Sequence, residues 1–238
     1  MFNCKKMNKA MIYRVLFYTA GLLILALGIT LNTKAGLGVS PIISVSYSIS
    51  TIWNFNFGNI TLVLYGSFIV IEMLLHIIFR QQNRNPNLKL LLLLDLLQFP
   101  LSLIFTRFLN LFATYIPEFQ TTYPDSFAGS LVGRVLFLLA AIILTGIGAA
   151  LSLNMRLIPN PGDGIVQAIS DCIGKTTGFT KNCFDLLCIS FTICIGLFFA
   201  GHPIGVGLGT VLAVVGVGRV IAVFNHFCKA KTDKLAGL

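Results

Sequence analysis

The stretch Arg14-Val-Leu-Phe17 recurs as Arg134-Val-Leu-Phe137, 120 residues further along the chain, and this repetition decides the fold. Further landmarks keep the same shift: Gly28 and Gly148, Pro41 and Pro161, Ser50 and Ser170, Gly58 and Gly178. Repeated apolar halves are typical of transporters and channels, whose polar sites lie where the halves meet. We therefore interpret residues 14–112 and 131–228 as two repeats within a single membrane domain, 1–238.

The composition excludes an ordinary soluble domain. The chain is 56% hydrophobic and 11% charged, with a mean hydropathy of +0.87, whereas soluble domains carry about 25% charged residues. Because so few charges cannot cover a surface in water, the lipid bilayer is the expected solvent. The net charge of +9 lies in short clusters at the ends of apolar runs. This pattern follows the positive-inside rule and lacks the basic stripe of a nucleic-acid-binding protein, so no nucleic-acid partner is expected.

Six apolar runs are long enough to span, since about 20 residues cross the hydrocarbon core. They are residues 14–33, 59–79, 88–112, 131–153, 182–200 and 204–227. The basic N-terminal segment precedes the first run and no small-residue cleavage site follows it. We therefore expect a retained first span and not a cleaved signal peptide.

Two shorter stretches, 38–53 and 161–175, lie at matching places in the two repeats. The serines of the first stretch alternate, which is formally a strand pattern. A lone strand in lipid would leave its backbone groups unsatisfied, so helix is predicted for both. Each stretch follows a helix breaker and precedes a glycine turn at Gly58 or Gly178. We interpret each as a re-entrant half-helix that enters and leaves the membrane on the same side.

The distribution of charge favours six spans over eight. With six spans and a cytoplasmic N-terminus, thirteen of the 17 Lys and Arg residues lie inside, three (Lys34, Arg107 and Arg134) lie on the outer side or its border, and Arg219 lies within the sixth span. If both short stretches crossed fully, the split would be eleven inside and five outside, and the Arg80, Arg84 and Lys89 cluster would face outward. Eight full spans with parallel repeats remain the alternative.

Three crossings per repeat is an odd number, so the second repeat must be inverted relative to the first. The predicted fold class is an all-α polytopic membrane protein with two inverted repeats of three transmembrane helices, each carrying a half-helix. Both termini are then expected on the cytoplasmic side of a bacterial inner membrane.

The string Ala35-Gly-Leu-Gly-Val-Ser-Pro41 and the string Pro161-Gly-Asp-Gly164, followed by Lys181 and Asp185, resemble the YczE/YitT-like family of bacterial integral membrane proteins. The resemblance covers most of the chain. It implies a multi-span protein of the cytoplasmic membrane, often thought to be a transporter, with no agreed substrate and no established catalytic residues. The family pattern places Trp-Asp soon after the first Ser-Pro, whereas Ile42 and Ile43 follow Pro41 here.

The first turns of the two half-helices form the predicted substrate site. A helix N-terminus presents free N–H groups and a partial positive charge, and it can hold an anion or a carbonyl oxygen. Ser40 is placed as an N-cap with Pro41 at the first helical position, and Asn160 or Asp163 could cap the second half-helix. The candidate substrate-binding residues are Ser40, Pro41, Ser44, Asn160, Gly162, Asp163 and Gly164. Caps and turns without a ligand would explain the same residues.

Ionisable residues inside the spans are the second group of candidates, because charges in lipid are costly and face a partner or a cavity. Glu72 and His76 are one turn apart in the second span and could interact. The candidates for charge coupling are Glu72, Asp95, Asp185 and Arg219. Arg219 requires an acid or a water path, and any of the three acids could be its partner. Structural ion pairing without transport is the alternative.

No enzyme signature is present, and neither the histidines nor the six cysteines show metal-ligand spacing. We expect no enzymatic activity, no cofactor and no metal. Two functions remain. The first is a secondary transporter or channel for a small polar or anionic solute, bound between the two half-helix N-termini at the bilayer centre. The alternative is a non-transporting accessory protein that binds a partner protein or a lipid. The glycines of the last span permit a homodimer.

Overall fold

The computed structural model describes residues 2–79 and 87–238, and all regular structure in these ranges is helical. The helices are α1 (Phe2–Ala35), α2 (Pro41–Ile52), α3 (Phe57–Ile78), α4 (Leu88–Tyr115), α5 (Phe119–Thr122), α6 (Leu131–Asn154), α7 (Pro161–Ile173), α8 (Thr177–Ala200) and α9 (Leu208–Ala236). Arg80 and Arg84, which the six-span prediction places on the cytoplasmic side, lie outside the described residues.

Six of these helices (α1, α3, α4, α6, α8 and α9) are long and apolar enough to cross a membrane. The prediction of an all-α polytopic membrane protein is therefore confirmed. The fifth span begins at Thr177, five residues before the predicted start, because the Thr176 side chain caps the helix by accepting a hydrogen bond from the Phe179 N–H. Hydropathy alone does not detect such a polar cap. The sixth span begins at Leu208 and continues to Ala236, beyond its apolar part.

The two short stretches are the helices α2 and α7, of 12 and 13 residues. The choice of helix over strand is confirmed. At a rise of 1.5 Å per residue each is about 18–20 Å long, shorter than the roughly 30 Å hydrocarbon core. Each begins at a proline, the residue that suits the first position of a helix.

The helix starts repeat with the spacing seen in the sequence. The first residues of α2 and α7, of α3 and α8, and of α4 and α9 are each 120 residues apart. The chain also divides into two compact units, and each unit contains helices from both halves of the sequence.

The first unit comprises the described residues of 1–40, 111–157 and 207–238, with α1, α6 and α9 as its long helices. Helices α1 and α6 are antiparallel and pack with their backbones in close contact. A Cβ at Gly28 would lie 2.6 Å from the Thr145 nitrogen, and a Cβ at Gly148 would collide with the backbone of Leu25. These two contacts are related by the 120-residue shift, and small residues make such close packing possible.

Two arginines connect the ends of α1 and α6 in the same way. Arg14 donates from Nε to the Met155 carbonyl oxygen at 2.6 Å and from Nη2 to that of Arg156 at 2.9 Å. Arg134 donates from Nε to Ala35 at 2.8 Å and from Nη2 to Gly36 at 2.7 Å. Donor atoms and acceptors all correspond at a shift of 120. Each guanidinium thus donates to carbonyl oxygens that lack a partner within the helix at its C-terminus. Its positive charge also interacts favourably with the negative end of the helix dipole.

The second unit comprises residues 41–110, as far as they are described, and 158–206. Here α2 packs against α8 and α7 packs against α3, so each short helix lies on a long helix of the other half. The Thr61 hydroxyl of α3 donates to the Ser46 hydroxyl of α2 at 3.1 Å. Tyr65 of α3 stacks on Phe105 of α4 with ring centroids 6.2 Å apart. Helices α4 and α7 therefore both pack against α3.

Candidate functional site

A buried polar cluster lies in the second unit, where α3 and α4 meet. Glu72 and His76 lie on one face of α3 because they are four residues apart, and Asp95 and Gln98 lie on one face of α4 because they are three apart. Their exposed fractions are 3%, 6%, 2% and 0%, in that order. Polar side chains this deeply buried require partners, and these four supply most of them to one another.

His76 pairs with Asp95, with 2.8 Å between Nδ1 and Oδ2. The Gln98 Nε2 group donates to both carboxylate oxygens of Glu72, at 3.1 Å each. Both contacts join α3 to α4, and the predicted interaction of Glu72 with His76 along α3 stays a prediction. One ligand atom from each of Glu72, His76 and Asp95 lies within 4.8 Å of the others. The Gln98 Oε1 atom is buried and has no hydrogen-bond partner among the described residues.

The first turn of α7 closes this cluster from a third side. A Cβ at Gly164 would lie 2.6 and 2.8 Å from the two carboxylate oxygens of Glu72 and 3.1 Å from Gln98 Nε2. Only glycine allows the backbone to approach the carboxylate so closely. The predicted substrate-binding residue Gly164 and the predicted charge-coupling residues Glu72 and Asp95 are therefore brought together.

The N-terminus of α7 is capped by Asn160 and not by Asp163, the two residues that the sequence left open. The Asn160 side-chain oxygen accepts a hydrogen bond from the Gly162 N–H at 3.2 Å. The main-chain carbonyl oxygen of Asn160 accepts hydrogen bonds from the N–H groups of Asp163 and Gly164 at 2.8 Å each. Pro161 has no N–H group. The first-turn donors of α7 are therefore used within the helix itself. These bonds concern α7 alone, so the predicted binding of an anion between the two helix starts stays a prediction.

One of the predicted site residues on α2, Ser44, contacts α8. Helix α2 begins at Pro41, directly after the half-buried Ser40. The Ser44 hydroxyl donates to the Pro41 carbonyl oxygen at 2.6 Å and lies 2.8 Å from the Thr192 hydroxyl. Ser44 therefore ties α2 to α8, the common use of serine between membrane helices.

The first turns of the two short helices are neighbours within the second unit. A Cβ at Gly162 would lie 3.4 Å from the Ile42 Cδ1 atom, an ordinary to tight van der Waals distance. Ile42 belongs to the first turn of α2 and Gly162 to that of α7. The contact between Ile42 and Gly162 therefore agrees with the expectation that the starts of the two short helices lie close together.

A second group of charges lies on α7 and α8. Lys181 Nζ is 3.7 Å from Asp185 Oδ1, one helical turn away, and Lys181 also interacts electrostatically with Asp163. Lys181 therefore interacts electrostatically with two carboxyl groups. The motif residues that carried the family resemblance in the second half, Asp163, Lys181 and Asp185, are brought together.

Arg219 is not paired as predicted. It is exposed on α9 in the first unit. Glu72, Asp95 and Asp185 bond instead to Gln98, His76 and Lys181 within the second unit. The physical reason is that Glu72 and Asp95 each have a hydrogen-bonding partner on the adjacent helix and Asp185 has Lys181 at 3.7 Å as a counter-ion, although the Asp185 Oδ1 atom accepts no hydrogen bond among the described residues.

Sequence reasoning missed the His76–Asp95 pair and the role of Gln98. The available signal was the combination of an i,i+4 polar pair and an i,i+3 polar pair in two consecutive spans. Consecutive spans joined by a short loop are antiparallel neighbours, so such pairs can meet at one depth.

The chain matches a described protein family along most of its length. The profile of the "Family of unknown function (DUF6198)" matches residues 12–226. The uncharacterized membrane protein YczE of Bacillus subtilis (strain 168) is 25% identical over 216 residues, which is 90% of this chain and 86% of the relative. The uncharacterized protein YyaS of the same organism is 26% identical over 211 residues, 89% and 92% of the two chains. No solved structure is a significant match. The chain therefore belongs to the DUF6198 family, in agreement with its YczE-like motifs.

Proposed function

We propose that this protein is a secondary transporter, and not an enzyme, that binds a small polar solute beside the first turns of α2 and α7. One observation carries the proposal. The first turn of α7 contacts both the first turn of α2, through Gly162 and Ile42, and a buried carboxylate, through Gly164 and Glu72. Broken helices that meet beside ionisable groups are the usual substrate sites of transporters built from repeats.

Inverted repeats are part of this proposal, and the arginine contacts in the first unit support them. Arg14 precedes the apolar part of α1, and Arg156 follows α6, yet the two residues are hydrogen-bonded and must lie on the same side of the membrane. Six spans give four crossings between them and hence the same side. Eight spans give five crossings and opposite sides.

The packing of α9 supports the same topology. A Cβ at Gly146 would touch Val220, and a Cβ at Gly216 would touch Ile142, so α6 and α9 run parallel. With six spans both helices cross from outside to inside, whereas with eight spans they would be antiparallel. Lys34 Nζ also lies 3.9 Å from Glu118 Oε1, and six spans place both residues outside.

The relative depth of residues within the second unit supports the half-helix interpretation. Tyr65, in the middle of α3, lies near the Asn160 cap of α7, and Glu72, further along α3, faces Gly164. Helix α7 therefore starts level with the middle of α3 and runs parallel to it. In a bilayer this would place the N-terminus of α7 near the centre and its C-terminus near the inner surface.

The charges favour a neutral polar or cationic solute over an anionic one. Four carboxylates, Glu72, Asp95, Asp163 and Asp185, lie around α7, and the bases in contact with them are His76 and Lys181. The first-turn N–H groups of α7 are already bonded within the helix. Glu72, Asp95 and Asp185 would then supply the charge coupling, and Arg219 is left out of the mechanism.

The test is charge movement in proteoliposomes on a solid-supported membrane. The probes are concentration jumps of an amino-acid mixture, choline, guanidinium and chloride, each with wild type, Asp185→Asn, Asp163→Asn and the exposed-loop control Asp125→Asn. We expect a wild-type current with at least one polar or cationic probe, an unchanged current for Asp125→Asn and a loss of about tenfold or more for the other two, the effect of about 1.4 kcal/mol. If wild type gives no current above empty liposomes with any probe, the non-transporting accessory function is favoured instead.

A further inference from the structure

We infer that Glu72, His76 and Asp95, with Gln98, form a binding site for one first-row divalent transition-metal ion such as zinc or manganese. The inference goes beyond the proposed transport, because a metal site in this cluster could be structural, regulatory or coupled to a solute. It is carried by the juxtaposition of two carboxylates, an imidazole and an unsatisfied amide in one buried cluster.

The positions of the ligand atoms suit a small ion. In a tetrahedral zinc site with bonds of about 2.0–2.1 Å, ligand atoms lie about 3.3 Å apart. The three candidate atoms lie within 4.8 Å of one another, and the His76–Asp95 pair is already at 2.8 Å. Rotations of side chains alone would draw these atoms to metal-binding distance. Helical proteins commonly build metal sites in this way, from side chains three and four residues apart on facing helices.

The amide of Gln98 is the second, independent observation. Its Oε1 atom is buried and unsatisfied while its Nε2 group faces the Glu72 carboxylate. A buried acceptor without a donor costs about 1–3 kcal/mol, and a bound cation would satisfy this oxygen as a hydrogen-bond donor would. The oxygen and nitrogen of an amide occupy nearly the same volume. A half-turn of the Gln98 amide would therefore aim Oε1 at an ion held by Glu72.

Charge selects a divalent ion. Two carboxylates in one water-poor cluster repel each other strongly unless a proton or cation compensates them. An ion of charge +2 neutralises Glu72 and Asp95 together, while a monovalent ion leaves one negative charge buried. The ligand set selects among divalent ions, because imidazole suits zinc and iron and carboxylate suits manganese, whereas calcium is bound by oxygen ligands and magnesium by carboxylates and water.

Gly164 seals the site on the third side. Its backbone lies against both oxygens of Glu72, leaving no room for a Cβ. This contact holds the carboxylate in place from α7, as an outer partner holds a ligand in known metal sites. It also predicts that the site would sense any movement of α7.

The experiment uses the purified full-length protein in detergent, stripped with EDTA and titrated with zinc sulfate or manganese chloride by calorimetry. We expect one ion per chain for wild type. Glu72→Gln, His76→Ala and Asp95→Asn should each weaken binding by about tenfold or more, since even the loss of an outer partner costs 10–100-fold. The control Asp171→Asn removes a carboxylate about two turns along α7 from Gly164 and should bind like wild type.

Two further readouts separate a metal site from a structural role. Manganese bound to wild type should show nitrogen coupling from an imidazole by pulsed electron paramagnetic resonance, and His76→Ala should abolish it. Gly164→Ala, which leaves all four ligands in place, should weaken binding because its Cβ displaces the Glu72 carboxylate. The inference is overturned if well-folded wild type binds neither ion more tightly than Glu72→Gln and Asp95→Asn do. No gradient or solute enters these measurements, so they stand or fall separately from transport.

Discussion

Gly164 of α7 lies directly against the Glu72 carboxylate of α3, where a Cβ would be 2.6 Å from Oε2. The residues 120 positions away in each direction, Ser44 and Thr192, form the equivalent contact between α2 and α8, with 2.8 Å between their hydroxyl oxygens. One contact is therefore made twice, once in each half. In one copy it joins two hydroxyl groups, and in the other it places a glycine against a carboxyl group. The ionisable group is therefore present at the α3–α7 contact and not at the equivalent α2–α8 contact.

The close packing of α1 on α6 makes a prediction about glycine. Gly28→Ala should destabilise the protein by about 1–3 kcal/mol, the usual cost of overpacking, because the new Cβ would lie 2.6 Å from backbone and side-chain atoms of Thr145. Gly218→Ala is the matched control, since nothing lies within 4 Å of its Cβ position on α9. Thermal unfolding in detergent compares the two variants. Equal midpoints would contradict the close α1–α6 contact.

The repeated arginine contacts predict equal and additive effects. Arg14→Lys and Arg134→Lys should each lower stability by about 1–2 kcal/mol, because lysine cannot reach two carbonyl oxygens at once and charged hydrogen bonds contribute about 1.5–3 kcal/mol. The double variant should show the sum, since the two contacts lie at opposite ends of the α1–α6 pair. The exposed Arg107→Lys on α4 serves as the control. A double variant no less stable than either single variant would speak against two separate contacts.

The six spans and both short helices could be predicted because apolar length, prolines and the repeat are local properties of the sequence. The arginine contacts could not. Arg14 and Arg134 were visible as landmarks of the repeat, but their acceptors lie 141 and 99 residues away. Nothing in the spacing of residues indicates that α1 and α6 are neighbours. The acceptors are backbone carbonyls, which every residue carries.

The candidate site was predictable only in part for a similar reason. Gly164 and Glu72 were both singled out, one as a helix start and the other as an intramembrane charge, but their contact depends on how α7 packs on α3. The sequence singled out Glu72 and His76 as neighbours on α3 but did not indicate the contact of His76 with Asp95, which comes from α4. Buried polar groups take the best donor in three dimensions and not the nearest one along the helix.

The Ser44–Thr192 contact predicts a small coupling energy. Ser44→Ala and Thr192→Val remove the two hydroxyls, and a double-mutant cycle on unfolding should give a coupling of about 0.6 kcal/mol, the average found between membrane helices. Ser50→Ala combined with Thr192→Val is a suitable control, because the Ser50 hydroxyl bonds within α2 to the Tyr47 carbonyl oxygen. A coupling no larger than in the control pair would indicate that the two hydroxyls do not interact.

The inverted topology makes the most decisive prediction, which concerns the loop before α6. With six spans, a single cysteine placed at Asp125 should react with a membrane-impermeant maleimide in intact spheroplasts, in a background where the six native cysteines are serine. A single cysteine at Lys229, near the end of α9, should react only after permeabilisation. Eight parallel spans would place position 125 in the cytoplasm and leave position 229 unchanged, so position 229 is the internal control. Labelling of position 125 only after permeabilisation would refute the inverted repeat, and with it the central half-helices on which the proposed transport site depends.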